Sequence, residues 1–375
     1  MFRYITAGES HGKGLVVIVD GLPAGLRLDE AAINRDLARR QSGYGRGGRM
    51  RIETDKADII SGVRRGRTIG SPVAMVIWNR DYKIDSLPDV KNPRPGHADL
   101  AGIMKYGFSE ARDVLERASA RETAARTAAG AAAKQVLGEF GISIFSHVVM
   151  LGGIESLVGG MKYDRIRPAA ERSDLRCADA AAEKKMKKVI DEASKTGDTL
   201  GGVFEVVAEG LPPGLGSYVQ WDRRLDGAIA RAIMSVPAVK SVSIGEGITC
   251  AAKTGSKVHD PINYDTRKKK FIRLTNNAGG LEGGVTNGEA LVVRGYMKPI
   301  ATLMNALDSV EISSKRRIRA ATERADVTAV PACGVVGEAV MALELTAAMT
   351  DKFGGDSIAE MTRNYKAYLK AIREV

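Results

Sequence analysis

This chain of 375 residues is short of the features that mark secreted, membrane-spanning or base-stacking proteins. It has three cysteines, Cys177, Cys250 and Cys333, scattered and odd in number. They form no CxxC pair and no metal-ligand spacing, so no disulfide framework or zinc site is expected, and a reducing, cytoplasmic setting fits. Aromatic residues make up only 5%, against a platform on which single-stranded bases stack. No uninterrupted run of about 18 apolar residues suggests a membrane span. The first residues carry no signal-peptide pattern, because a glycine- and histidine-bearing motif begins at Gly8. No GxxxxGK[ST] occurs, which disfavours a P-loop kinase. Acidic residues are outnumbered, 45 against 56 Lys and Arg, leaving a net charge of +11. That favours an anionic partner: a phosphorylated metabolite, a nucleic acid or a membrane surface.

What is abundant is alanine in one place. The stretch Leu115 to Gln135 has nine alanines between Ala118 and Ala133. Alanine loses no side-chain entropy in a helix, so propensity predicts one helix of about 20 residues. Glu122 precedes Arg126 by four residues, the favourable order for a helical ion pair, and Phe140-Gly141 supplies a stop. With no leucine stripe and a small surface, this helix can be approached closely on several sides. It is expected at the centre of the fold. Ser119, Thr123 and Thr127 are spaced to line one face with hydroxyls, or to bond back to the backbone. Arg117 and Arg121 at its start, beside the positive end of the helix dipole, would suit an anion.

A second pattern occurs twice. Leu15–Val19 reads as a buried strand, Gly21–Leu26 (GLPAGL) as a turn, and Asp29 as the cap of a helix to about Gln41. The same order returns 189 residues later: a strand at Phe204–Ala208, the turn Gly210–Leu215 (GLPPGL), and a helix near Leu225–Met234. A strand–GLPxGL–helix unit in two copies suggests two related halves. Further helices are expected over 173–198, 334–349 and 356–373, the first with a charged, solvated face. No stretch reads as a linker, so residues 1–375 are expected to form one domain.

The chemistry-bearing residues cluster in loops. Gly8 and Gly12 bracket Glu9, Ser10 and His11, and such glycines allow close backbone approach to a ligand. His11 could move a proton near neutral pH. Arg39 to Arg51 alternates arginines with Gly43, Gly45, Gly47 and Gly48. Arginine forks bind phosphate and carboxylate, so this loop suits a small polyanion, with RGG-type nucleic-acid binding as the rival. Asn92–Asp99 is a proline-stiffened loop that presents Arg94, His97 and Asp99 together. His147 lies in an apolar strand and reads as structural, and His259 lies in a polar turn. Asn276–Gly284 could turn backbone N–H groups onto an anion or a ring. Glu323–Pro331 sets Arg324 and Asp326 before a helix.

Taken together, GESHG (Gly8–Gly12), GLPAG (Gly21–Gly25), the arginine loop (Arg39–Glu53), RPGHAD (Arg94–Asp99) and LERASARETAAR (Leu115–Arg126) resemble the chorismate synthase family. So do GDTLGG (Gly197–Gly202), NNAGGLEGG (Asn276–Gly284), KPIAT (Lys298–Thr302) and ERADVTAVPA (Glu323–Ala332), in order along nearly the whole chain. The resemblance implies an α+β fold, a β-α-β sandwich of two sheets around a helical layer, assembled as a homotetramer. It implies a carbon–oxygen lyase of the shikimate pathway, which supplies aromatic amino acid biosynthesis. That enzyme removes phosphate from 5-enolpyruvylshikimate 3-phosphate by anti 1,4-elimination, giving chorismate. Reduced FMN is required without net redox change, and NADPH serves some members as reductant.

By the same resemblance, His11 matches the proton donor toward phosphate, His97 the group that protonates the reduced flavin, and Asp326 a proton relay. Ser10, Arg40, Arg46, Arg49, Arg121 and Arg324 fall in the substrate region. Arg40 and Arg46 are assigned to NADPH in some members. Flavin contacts fall on Arg117, Ala118, Ser119, Pro237, Ala238, Gly283, Lys298, Pro299, Ile300, Ala301, Thr302 and Arg324. No metal is implied, nor a nucleic-acid or membrane partner. Three positions depart from the family pattern: Ala118 and Ala325 stand where serine is usual, and Pro237 where asparagine or glutamine is usual. Each loses a polar group near the flavin, worth about 1 kcal/mol per hydrogen bond. The rival classes are a basic nucleic-acid binder and a flavin reductase that would oxidise NADPH alone.

Overall fold

The computed structural model of the chain describes residues 1–47, 52–267, 269–323 and 326–374. In its first half, β1 (Arg3–Ala7) and β2 (Gly14–Asp20) precede helix α1 (Glu30–Gln41). Strands β3 (Asp58–Ile59), β4 (Val63–Arg64), β5 (Arg67–Thr68) and β6 (Val73–Trp78) follow. Then come α2 (Asp99–Tyr106), α3 (Arg112–Ala118) and α4 (Thr123–Gly138). In its second half are β7 (Ser143–Leu151), β8 (Ile154–Glu155), α5 (Tyr163–Arg172), α6 (Ala180–Thr196), β9 (Gly202–Glu209), α7 (Leu225–Met234) and β10 (Val239–Ile244). The small hairpins β11–β12 (Ile262–Asp265, Lys270–Arg273) and β13–β14 (Leu281–Glu282, Val285–Thr286) lead to β15 (Leu291–Met297). The chain ends with α8 (Val330–Phe353) and α9 (Ile358–Ala371).

The fold mixes helix and antiparallel sheet. One sheet has the order β1-β2-β6-β3 and the other β10-β15-β9-β7-β8. Helix α4 packs on β2 and β6, and on its other side against α8, which packs on β7 and β9. Side chains of period two turn Leu15, Val17 and Val19 inward from β2. The register sets Val17 against Met75 in one sheet and Val206 against Val293 in the other. Helix α8 is long and apolar enough to cross a membrane, but it lies between α4 and the second sheet with 83% of that window buried. Its hydropathy is that of a core helix, apolar all round.

The expected single alanine helix is two. It breaks at Ser119, whose backbone is extended (φ −62, ψ 141) and whose Oγ accepts the Arg121 N–H at 3.2 Å. Alanine content promotes a helix but does not oppose a serine that caps the next one. The predicted hydroxyl face is lost with it: Thr123 and Thr127 donate back to the carbonyls of Ala120 and Thr123. Glu122 and Arg126 pair at 3.0 Å as their spacing predicts. Arg39 is in the last turn of α1, within the helix expected to about Gln41, but it does not face a ligand with the rest of the arginine stretch. It turns into the core, where both its terminal nitrogens meet buried Glu338 at 2.8 Å.

The two GLPxGL turns close alike. In the first, the Leu26 N–H donates to Thr68 Oγ1 at 3.0 Å, and that hydroxyl donates to the Pro23 carbonyl at 2.6 Å. In the second, Leu215 donates to Thr286 Oγ1 at 2.8 Å, and that hydroxyl donates to Pro212 at 2.7 Å. The turn glycines sit at φ +85 and +84 in one and +82 and +93 in the other, values that admit glycine readily.

Candidate active site

A cavity of about 570 Å³ opens where the loops from both halves converge. The Gly8–Gly12 turn, the end of α1, the Arg94–Asp99 loop, the α3–α4 break and the segments after α7, β15 and Glu323 all reach it. It therefore collects residues far apart in sequence: Ser10, His11, Arg40, Arg46, His97, Ala118, Ser119, Arg121 and Asp326. Pro237, Ala238, Lys298, Ile300, Ala301 and Thr302 line it as well. Pro299 and Gly283 do not. Gly283 lies in the β13–β14 turn, and Arg117 is exposed, donating to the carbonyls of Thr6 and Gly8. Arg49, Arg324 and Ala325 lie outside the described residues.

Both histidines are held by buried carboxylates. His11 Nδ1 lies 2.9 Å from Glu116 Oε1, and the His11 backbone N–H donates to Glu116 Oε2 at 2.7 Å. Burial pushes the Glu116 carboxyl up, but the bonds from His11 outweigh it and hold it below its ordinary value. His97 Nδ1 lies 2.5 Å from Asp99 Oδ1, and Arg94 forks onto the same carboxylate at 2.9 and 3.0 Å. Here too burial pushes Asp99 up, while His97 and Arg94 hold it well below the usual carboxylate range. A carboxylate on Nδ1 selects the tautomer and leaves Nε2 as the working atom.

The cavity is also lined by cations. Arg121 grips Asp55 with NH1 at 2.6 and 2.7 Å, and its NH2 donates to Asn79 at 2.8 Å. Arg40 donates to Thr123 Oγ1 at 2.9 Å and to the Ala120 carbonyl at 2.9 Å. Burial, with the charges of Arg121 and Arg46, pulls the Arg40 guanidinium down to about 10, against the pull of Asp55. Arg46 pairs with Asp326 at 3.0 Å, and Asp326 also accepts the Gly47 N–H at 2.6 Å. Lys298 donates to the Gly96 carbonyl, tying the KPIAT segment to the His97 loop. Val236, Pro237, Ala238, Met297, Ile300 and Val336 form the apolar side. Ala238 sits there at φ +70, a costly conformation for a side-chain-bearing residue and one that clusters at ligand sites.

Sequence reasoning missed the acidic partners Glu116, Asp55 and Asp99's role as a shared carboxylate. It also missed Asn79, Lys240, Glu323 and Cys333, the last three lining the cavity. One signal was available, since a buried arginine or histidine demands a buried carboxylate nearby. Burial drives the Cys333 thiol up to about 12, so it is no nucleophile here. His147 is buried on Glu205 at 3.0 Å, away from the cavity, in keeping with a structural role.

A cavity that gathers fixed arginines and two carboxylate-held imidazoles suits an enzyme that handles a small polyanion by moving protons. The comparisons make the class particular. The sequence model described as "Chorismate synthase" matches residues 2–350, and the chain belongs to the chorismate synthase family. The chain is 51% identical over 391 residues to a chorismate synthase of Koribacter versatilis, with 100% of both sequences covered. It is 52% identical over 391 residues to that of Geobacter sulfurreducens, again with 100% of both covered. A crystal structure of chorismate synthase matches with TM-score 0.84 at 43% identity, covering 100% of this chain and 99% of that one.

Proposed function

We propose that this chain is the lyase that converts 5-enolpyruvylshikimate 3-phosphate into chorismate and phosphate, with reduced FMN held in the 570 Å³ cavity. One observation carries the site assignment: His11, His97 and Asp326 meet at a single cavity with Arg40, Arg46 and Arg121. The fit to a flavin rests on the same walls. The volume lies in the range of small-molecule sites, about 300–1,000 Å³. The apolar side formed by Pro237, Ala238, Met297 and Ile300 suits a planar ring, and Lys298 and the arginines suit its phosphate. Ala118 and Pro237, two of the three departures, lie on this wall and cannot donate side-chain hydrogen bonds. Reduced FMN, when bound, supplies an electron-rich ring beside the bond that breaks, with no net redox change.

The chain's own residues do the rest. Arg40, Arg46 and Arg121 meet the phosphate and carboxylates of the substrate, and such preorganised charge stabilises phosphate as it leaves. His11 gives a proton to the departing phosphate oxygen from Nε2. His97 holds its proton toward the cofactor side of the cavity. Asp326, fixed by Arg46 and Gly47, relays the proton lost from substrate C6. We read the sheet–helix–sheet layering as the family's β-α-β sandwich, and the matched GLPxGL turns as a two-fold internal repeat. The reading extends to a cytoplasmic homotetramer. Ile5, Ile18 and Trp78 are exposed on the outward face of the first sheet, where a second copy would cover them.

The test is an anaerobic reaction of pure protein, photoreduced FMN and substrate, followed by chorismate absorbance and phosphate release. Product with reduced but not oxidised FMN is expected. His11→Ala and His97→Ala should fold and bind flavin but turn over slowly. NADPH oxidation without product would instead support a reductase, and salt-sensitive RNA binding without flavin binding the nucleic-acid reading.

A further inference from the structure

We infer that Glu116 is the positioning residue for His11, fixing which imidazole nitrogen carries the exchangeable proton. The inference rests on the reading of His11 as proton donor and names the group that makes it one.

Glu116 is 1% exposed, one turn before the α3–α4 break. Both its oxygens turn toward one residue. Oε1 and Oε2 lie 2.9 and 3.1 Å from His11 Nδ1, and Oε2 also takes the His11 backbone N–H at 2.7 Å. Its own carbonyl accepts the Ser10 N–H at 3.0 Å, so the tip of the Gly8–Gly12 turn hangs on this residue. The remaining neighbour, Arg112, stands at 3.5 Å and spends its nearer contact, 2.9 Å, on Glu323. On the other side of the ring, Asp81 Oδ2 lies 3.8 Å from His11 Nε2 and is itself paired with Lys83 at 2.9 Å. Among the described residues, Glu116 and Asp81 face His11 directly, with Arg112 and Lys83 behind them.

The consequence follows from hydrogen-bond chemistry. An ionised carboxylate can only accept, so Nδ1 must carry a proton in every state of the ring. Exchange is then confined to Nε2. His11 lines the cavity and Glu116 does not. It acts through His11.

The first test leaves Glu116 unchanged. In protein labelled with nitrogen-15 histidine, the four histidines of the chain give few enough signals to assign with His11→Gln. Neutral His11 is expected to carry its proton on Nδ1; a proton on Nε2 overturns the inference. The second test is kinetic, on the flavin-loaded enzyme. Glu116→Gln should lower kcat by roughly 10²-fold, within the range of acid–base catalysis, with KM for substrate nearly unchanged. Glu116→Asp, which keeps the charge, should recover part of kcat. The double variant His11→Gln/Glu116→Gln should be no slower than His11→Gln alone. An unchanged kcat in Glu116→Gln, no recovery in Glu116→Asp, or additive losses in the double variant would sink the idea. Normal turnover by His11→Gln would remove the proton-donor reading while leaving the tautomer result to stand.

Discussion

The central helices α4 and α8 touch where Gly130 faces Ala339, and this contact can be tested by one methyl group. A Cβ at position 130 would lie 2.4 Å from Ala339 Cα and 2.6 Å from its carbonyl oxygen. Ordinary carbon contacts are at about 3.5–4.0 Å, so the helices would have to separate by about 1 Å. Two effects compete in Gly130→Ala. Helix propensity favours alanine by about 1 kcal/mol. Overpacking costs about 1–3 kcal/mol, and the upper end applies because the obstruction is backbone that cannot rotate aside. The net expectation is a loss of about 1–2 kcal/mol. Gly138→Ala, at the end of the same helix, meets nothing within 4 Å and should be stabilising by up to about 1 kcal/mol. Urea unfolding followed by far-UV circular dichroism compares the midpoints, with the slope m required to stay constant. A midpoint for Gly130→Ala at or above wild type, with Gly138→Ala also raised, would refute the close crossing.

Two further outcomes follow from buried polar groups. Thr68→Val and Thr286→Val each strand one leucine N–H and one proline carbonyl, and should each cost about 1–3 kcal/mol, equal within about 0.5 kcal/mol; unequal urea midpoints would argue against equivalent turns. Glu338→Gln leaves Arg39, Lys134 and Arg176 without their shared carboxylate and should cost about 3–5 kcal/mol. Burial pushes Glu338 up, but Lys134, Arg39 and Arg176 hold it well below its ordinary value. A depressed carboxylate gives stability that is present above its unfolded pKa, about 4.3, and is lost as pH falls. The wild-type midpoint should therefore drop below about pH 4.3 more steeply than that of Glu338→Gln, and parallel curves would count against the network.

Local chemistry was legible. The Asp29 cap accepts the Ala31 N–H as its position predicts, α7 spans Leu225–Met234 as read, and β2 and β9 cover the predicted β-branched runs. The motif residues were legible as types too, because arginine, histidine and glycine advertise their chemistry one at a time. The likeness of the two GLPxGL turns was read only in part. Gly62-x3-Gly66-x-Thr68-x-Gly70 is matched by Gly280-x3-Gly284-x-Thr286-x-Gly288, but without the closing threonine bonds that spacing carries no meaning.

By itself, then, the sequence determined the elements, their caps and the inventory of charged and proton-bearing groups, since propensity and hydrogen-bond capacity are local. Only the tertiary structure decided which arginine serves which purpose. Arg39 and Arg40 are neighbours in one helical turn, yet Arg39 neutralises Glu338 in the core and Arg40 lines the cavity. Successive residues on a helix point about 100° apart, and what lies in each direction is set by elements hundreds of residues away. The same holds for His11 and Glu116, separated by 105 positions and joined at 2.9 Å.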